Sequence, residues 1–165
     1  MTDQVLLPPV RALVIAIFAA NGRLTDMGNS LVRPAGLTTA WWQVLGALGY
    51  APTPLTVSDI ARAMGLTRQG VQRVVDLLAA HGHVAFTPNP HHQRAKLVAI
   101  TEAGRAALAL AEQAAGPVDQ RLLERIGADR LATALAVLGE LTDLITEELA
   151  HPAFAEAGSA SSRKD

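Results

Sequence analysis

The chain has 165 residues, of which 50% are hydrophobic and 4% aromatic, and its formal net charge is −1. That length allows one domain with a hydrophobic core, and no apolar run approaches the roughly 18 residues of a transmembrane helix. The absence of Cys excludes disulfides, thiolate zinc sites and thiol-based redox sensing.

The first ten residues, MTDQVLLPPV, lack the basic segment and cleavage site of a secretory signal. We therefore expect a cytoplasmic protein with no membrane partner. A first helix is predicted from Pro8-Pro9, since Pro is tolerated in a first turn. Its apolar face extends to Leu31, with an interruption at Asn21-Gly22.

The segment RPAG at 33–36 predicts a linker because of its Pro and Gly. A second helix is predicted to open at Leu37-Thr38-Thr39. The side chains expected in its core are Trp42, Val44, Leu45 and Leu48.

The stretch from Thr56 to Gly82 predicts two short helices joined by a tight turn. Thr56 is a favourable N-cap, and the apolar residues that follow recur at helical spacing. Gly65 stands where a helix end needs a left-handed conformation, and Thr67 caps the next helix two residues later. The apolar stripe of the first of these helices consists of Val57, Ile60, Ala61 and Met64.

The second of these helices has two distinct faces. Its predicted buried stripe consists of Val71, Val74, Val75 and Leu78. The opposite face consists of Arg68, Gln69, Gln72, Arg73 and Asp76. Arg pairs bidentately with guanine and Gln with adenine, which is typical of a recognition helix in the DNA major groove. A merely solvated helix face is the alternative.

A hairpin is predicted after this helix. Gly82 ends the helix, residues Val84–Thr87 and Leu97–Ile100 are predicted strands, and a Pro-rich tip lies between them. The exposed loop before the return strand carries Arg94 and Lys96. Helix, turn, helix and two-stranded hairpin together outline a winged helix-turn-helix.

The segment MGLTRQGVQRVVDLLAAHG followed by NPHHQRAKLVAITEAG resembles the MarR family of bacterial transcriptional regulators. The family's wing reads Asp-x-Arg, a spacer and Leu-Thr, and these positions here hold His92, Arg94 and Ile100-Thr101. The Arg is therefore retained, whereas the Asp is absent. The resemblance extends from about Leu6 to Leu149.

The helices after the wing are predicted from caps and spacing. Thr101 caps a helix that contains Gly116-Pro117, where we expect a kink or a break. Gly127 separates it from a last helix with near-heptad apolar spacing. The residues in that spacing are Leu131, Leu135, Leu138, Thr142, Ile145 and Leu149. The apolar faces of these helices are predicted to form a dimer surface, and intramolecular bundle packing is the alternative.

The resemblance implies a mainly α fold with a small β wing, in which a winged helix-turn-helix joins a helical dimerisation region. It divides the chain into an N-terminal dimerisation helix (1–36), the DNA-binding region (37–101), C-terminal dimerisation helices (102–150) and a flexible tail (151–165). The implied function is sequence-specific binding of a pseudo-palindromic double-stranded operator by a homodimer, as a repressor released by a small aromatic or amphipathic ligand.

Positive charge is concentrated in the predicted DNA-binding region. Residues 1–55 carry +1, residues 56–101 carry +3 and residues 102–165 carry −5. This distribution is an electrostatic footprint for nucleic acid. The predicted DNA contacts are Thr67, Arg68, Gln69, Gln72, Arg73, Arg94 and Lys96.

The family's ligand cleft would be lined by Phe18, Met27, Trp41 and Trp42, although core packing is the alternative role for each. The five His residues are His81, His83, His91, His92 and His151, and metal sensing is weakly indicated because no carboxylate lies between Asp76 and Glu102. No cofactor is predicted. No enzyme signature is present, and a winged-helix protein-interaction module without DNA binding is the alternative function.

Overall fold

The computed structural model describes residues 8–92 and 94–151. The predictions for the first seven residues and for the tail beyond residue 151 lie outside the described residues. The chain divides into two compact units, the first ending at Pro117 and the second beginning at Val118. No helix in the described ranges is long and apolar enough to cross a membrane.

The elements of the described residues follow the predicted order. The helices are α1 (Pro9–Val32), α2 (Thr39–Tyr50), α3 (Val57–Met64), α4 (Arg68–Ala80), α5 (Glu102–Ile126) and α6 (Ala128–Ala150). The strands are β1 (Leu55–Thr56), β2 (Val84–Thr87) and β3 (Leu97–Ile100). A short 3₁₀ turn at Arg33–Ala35 occupies the predicted linker.

The junction of α1 and α2 is closely packed. A Cβ on Gly28 would lie 2.6 Å from the Thr39 hydroxyl oxygen, so only glycine fits there. The Thr39 backbone N–H donates to Oδ1 of Asn29 at 2.9 Å, and its hydroxyl donates to the Thr25 carbonyl at 3.0 Å. Helix α1 continues through Asn21-Gly22 without a break.

The hydrophobic core of the first unit lies between α2, α3, α4, the sheet and the first half of α5. Ile60, Val75 and Val98 are fully inaccessible to solvent, so helix and sheet side chains meet at its centre. Trp42, predicted as a core residue, is only half-buried and packs against this cluster from its edge.

The sheet has three antiparallel strands in the order β1-β3-β2, whereas a two-stranded hairpin was predicted. Val84 pairs with Ile100, and Leu55 pairs with Val98 on the opposite edge. Two residues directly after Pro54 are too few to show an alternating pattern. Strand β1 was therefore invisible to pattern analysis, although β2 and β3 have the predicted bounds.

Helix α5 is anchored at its start and unbroken in its middle. Thr101 caps it by accepting from the Gly104 backbone N–H at 3.0 Å. A Cβ on Gly104 would overlap the His83 carbonyl oxygen, so α5 begins in close contact with the backbone before β2. Of the kink or break expected at Gly116-Pro117, the break does not occur, since Pro117 lies inside continuous helix. Proline removes one backbone donor, and the bonds on either side maintain the helix.

The second unit has little interior of its own. Among residues 118–151, which include all of α6, no side chain is buried. Gly127 separates α5 from α6 with a φ of 89°, as its predicted role requires. The large hydrophobic residues exposed in this unit are Leu122, Leu123, Ile126, Leu135, Val137, Leu138, Leu144, Ile145 and Leu149.

Candidate nucleic-acid interface

A capping box at Thr56 and Asp59 determines where α3 begins. The Thr56 hydroxyl accepts from the Asp59 backbone N–H at 3.2 Å, and Asp59 accepts from the Thr56 backbone N–H at 3.0 Å. The Thr56 hydroxyl also donates to the Asp59 carboxylate at 2.6 Å. These hydrogen bonds from Thr56, with a smaller contribution from Arg62, lower the pKa of Asp59 below its ordinary value of 3.8.

Helix α4 begins immediately after a three-residue turn. Gly65 adopts a left-handed conformation with a φ of 62°, which ends α3. Thr67 caps α4 by accepting from the Gly70 backbone N–H at 3.1 Å. The apolar stripe through Val71 and Val75 is buried, so the opposite face of α4 points away from the core.

The outward face of α4 forms a hollow bounded by side chains of one helix. It is lined by Arg68, Gln69, Gln72, Arg73, Asp76 and Leu77. The structure therefore brings together the four side chains of α4 that were predicted to contact DNA, namely Arg68, Gln69, Gln72 and Arg73. Leu77 is 45% exposed at the end of this hollow, and the sequence did not mark it as a surface residue.

A second groove, of about 320 Å³, lies between α4 and the wing. Arg68 and Gln72 contribute from α4, and Arg94 and Lys96 contribute from the wing. Three cationic side chains therefore line one groove. Thr67 lines neither this groove nor the hollow along α4, and its hydroxyl is engaged in capping.

The groove also contains residues that sequence analysis missed. Phe86 on β2 lies beneath Lys96, with the ammonium nitrogen 5.9 Å from the ring centroid. A cation this close to an aromatic face is attracted by the ring quadrupole. Val57 and Ser58 from the first turn of α3 also line the groove. Phe86 pairs with Val98, so Lys96, two residues before Val98, lies on the same side of the hairpin. The predicted strand bounds did not include this register.

Backbone hydrogen bonds shape the tip of the wing. The His91 N–H donates to Oδ1 of Asn89 at 2.9 Å, and the His92 N–H donates to the Asn89 carbonyl at 3.3 Å. His91 and His92 are both exposed. Within the described ranges, no group of three His, Cys, Asp or Glu residues could hold a metal ion.

The four predicted ligand-contacting residues are spread over two helices. On α1, Phe18 is 71% exposed, whereas Met27 is half-buried. Nine residues of helix separate these two by about 13 Å along the axis. On α2, Trp41 and Trp42 are half-buried and pack against the core.

Trp41 forms an aromatic cluster that spacing did not predict. Its ring centroid lies 4.8 Å from that of His81 and 6.0 Å from that of His83, both in edge-to-face geometry. Edge-to-face contacts of this length are favourable beyond the area they bury. The cluster joins α2 to the end of α4 and the start of β2.

Comparison with known proteins agrees with this geometry. A family model described as the MarR family matches residues 35–95, which include α2, α3, α4 and most of the wing. An uncharacterized protein of Mycobacterium tuberculosis is 35% identical over 117 residues, which are 71% of this chain and 80% of that protein.

The chain belongs to the MarR family of transcription regulators. Its fold is similar to that of mutant MarR from E. coli complexed with operator DNA, with a TM-score of 0.70 and 26% identity. That similarity covers 80% of this chain and 94% of the E. coli chain. This MarR-family chain is also 34% identical to the transcriptional activatory protein BadR of Rhodopseudomonas palustris over 95 residues, which are 56% of this chain and 54% of BadR.

Proposed function

We propose that this MarR-family regulator binds a pseudo-palindromic operator as a two-fold dimer, with α4 in the major groove and the wing beside the minor groove. The observation that supports this most is the shared groove of α4 and the wing. Arg68, Arg94 and Lys96 line it, so positive charge from two separate elements meets at one surface. Phosphate contacts of this kind set the register in which base-contacting residues act.

Within this proposal, Gln69, Gln72 and Arg73 contact base edges, and Arg68, Arg94 and Lys96 contact the sugar–phosphate backbone. Thr67 acts through its cap, which aims the first turn of α4 at the duplex. Residues 1–36 and 102–150 form the dimer. The exposed apolar side chains of α6 support this part of the proposal, because a second chain would remove them from water.

We infer further that the protein is a cytoplasmic repressor released by a small aromatic or amphipathic ligand. The ligand must bind more tightly to a dimer whose α4 helices cannot span both half-sites. Phe18, Met27, Trp41 and Trp42 are the proposed ligand contacts. Trp41 is the best placed of them, since it touches His81 and His83 at the end of α4.

Transcriptional activation is the second candidate function. BadR, which is similar to this chain over 95 residues, is by its title an activatory protein. Both candidates require operator binding, and they differ only in the effect on the promoter. A reporter gene under the bound promoter distinguishes them, because deletion of the regulator raises expression for a repressor and lowers it for an activator.

The decisive experiment is a fluorescence-anisotropy titration of the full chain on DNA from its own upstream region. We expect saturable binding that is at least about a hundredfold tighter than binding to a scrambled duplex of equal length. Gln69→Ala with Arg73→Ala should abolish that difference, whereas Arg23→Ala on α1 should not. Equal binding to both duplexes by the wild type would contradict the proposal and favour a protein-interaction module.

A further inference from the structure

The outward face of α4 contains one side-chain hydrogen bond that joins a base-contacting candidate to an acidic residue. Gln72 donates from its amide nitrogen Nε2 to Oδ1 of Asp76 at 2.8 Å. The two residues are one helical turn apart, so their side chains lie next to each other on the helix surface. Both line the hollow along α4 and the groove beneath the wing.

The chemistry of this pair fixes which end of the Gln72 amide faces Asp76. An ionised carboxylate only accepts hydrogen bonds, whereas a glutamine amide carries an NH₂ donor and a carbonyl acceptor. Asp76 therefore attracts the NH₂ group and repels the oxygen Oε1. The oxygen remains available to accept a hydrogen bond from a group outside the helix.

We propose that Asp76 is a positioning residue that makes Gln72 select an exocyclic amino group on a DNA base. In the major groove adenine and cytosine present an amino group, whereas guanine and thymine present a carbonyl oxygen at the corresponding edge. Gln72 held with Oε1 outward attracts the first pair of bases and repels the second. This inference rests on the proposed function, since it requires α4 to lie in the major groove.

Support of the helix alone explains this pair less well. An exposed Gln–Asp pair one turn apart stabilises a helix only slightly. Asp76 also adds a negative charge to a face that would approach phosphates, which opposes DNA binding. Asparagine has similar size but both donor and acceptor atoms, so it can hold Gln72 in either orientation. A fixed orientation of Gln72 is what the carboxylate adds.

The test measures base discrimination by the full chain at a single operator position. Selection from random duplexes gives the preferred operator, and Gln72→Leu identifies the base pair at which preference is lost. Affinity is then measured with adenine, cytosine, guanine or thymine on one strand at that position. For Asp76→Asn we expect the ratio of amino-base to keto-base affinity to fall by about five- to tenfold. Asp76→Glu, which keeps the carboxylate, should retain most of the ratio.

The ratio of amino-base to keto-base affinity distinguishes the positioning of Gln72 from a general effect of the Asp76 charge. Loss of the negative charge in Asp76→Asn should raise affinity for all four operators together, which leaves the ratio unaffected. A double-mutant cycle completes the test: Asp76→Asn in a Gln72→Leu background should cause no further change in the ratio. Circular dichroism of each variant verifies that the helical content is unchanged.

An unchanged ratio in Asp76→Asn would overturn the inference. An equal fall of the ratio with and without Gln72 would also overturn it, because Asp76 would then contact the base itself. If the wild type prefers no sequence, the proposed function fails and the inference fails with it. If the wild type is sequence-specific but Asp76→Asn keeps the ratio, the inference alone fails.

Discussion

The winged helix and the helix α6 bury their apolar residues to very different extents. Around α3 and α4, side chains such as Ile60 and Val75 are fully buried, and the outward face of α4 is polar except for Leu77 at its end. In α6 no side chain is buried, and Leu135 is 71% exposed. The first region satisfies its hydrophobic sequence within one chain, whereas the second does not.

This difference separates two uses of the same helical periodicity. In α4 the pattern divides one face for the core from one face for a polar partner. In α6 the near-heptad pattern leaves the apolar face exposed instead, and the proposed dimer would bury it. Burying one Leu or Ile side chain contributes about 1.5–3 kcal/mol, so several such residues can stabilise a dimer.

The largest effect is expected from Leu138→Glu, which places a charge on the apolar face of α6. The variant should be monomeric by sedimentation at micromolar concentration. Operator affinity should fall by about a hundredfold or more, because two linked half-site contacts become independent. Thr133→Glu, which adds the same charge on the other side of α6, is the matched control. A monomeric wild type that still binds the operator tightly would contradict the proposed role of the apolar face of α6 in dimerisation.

Arg73→Ala tests the polar face of α4. We expect a loss of about 1–3 kcal/mol on the preferred operator and a relaxed preference at one base pair. Arg23→Ala removes the same charge from α1 and should leave the preference intact. Equal losses on every duplex would instead make Arg73 a phosphate contact.

Arg94→Ala tests the wing and should have a smaller effect, without a change in sequence preference. The slope of log affinity against log salt should become shallower by about 0.9, the value for one phosphate contact. Titrations at several salt concentrations measure it. An unchanged slope with unchanged affinity would mean that the wing does not touch DNA.

Thr56→Ala should produce the smallest effect, a loss of about 1 kcal/mol of stability through the α3 cap. The cap lowers the pKa of Asp59, so its contribution is complete above the ordinary value of 3.8 and is lost as pH falls through the lowered value. Thermal unfolding should therefore separate wild type and variant more at pH 7 than at pH 3. Ser30→Ala, whose hydroxyl bonds only a helix carbonyl, should show no such dependence.

The sequence was sufficient where a local signal determines structure. Thr56, Thr67 and Thr101 all cap helices as predicted, because capping needs only a side chain and the next three residues. Gly65 and the bounds of β2 and β3 follow from equally local rules. Of the kink or break expected at Gly116-Pro117, no break occurs, because the local cost of one proline did not outweigh the helix around it.

Contacts between distant elements could not be predicted in the same way. Gly49 packs so closely on Leu108 that a Cβ would lie 2.6 Å from that side chain. Tyr50 donates a hydrogen bond to Glu112, which ties α2 to α5. For the candidate site, spacing gave the α4 face and the wing cations, but it gave neither Phe86 beneath Lys96 nor the contacts of Trp41.

The backbone clamp at the start of α5 has a mechanical consequence. The Thr101 N–H donates to the His83 carbonyl at 3.0 Å, its hydroxyl donates to the Gly82 carbonyl at 2.7 Å, and Gly104 approaches the His83 oxygen. These three contacts join the start of α5 to two successive peptide groups between α4 and β2. We therefore expect the first turn of α5 and the end of α4 to move together rather than independently.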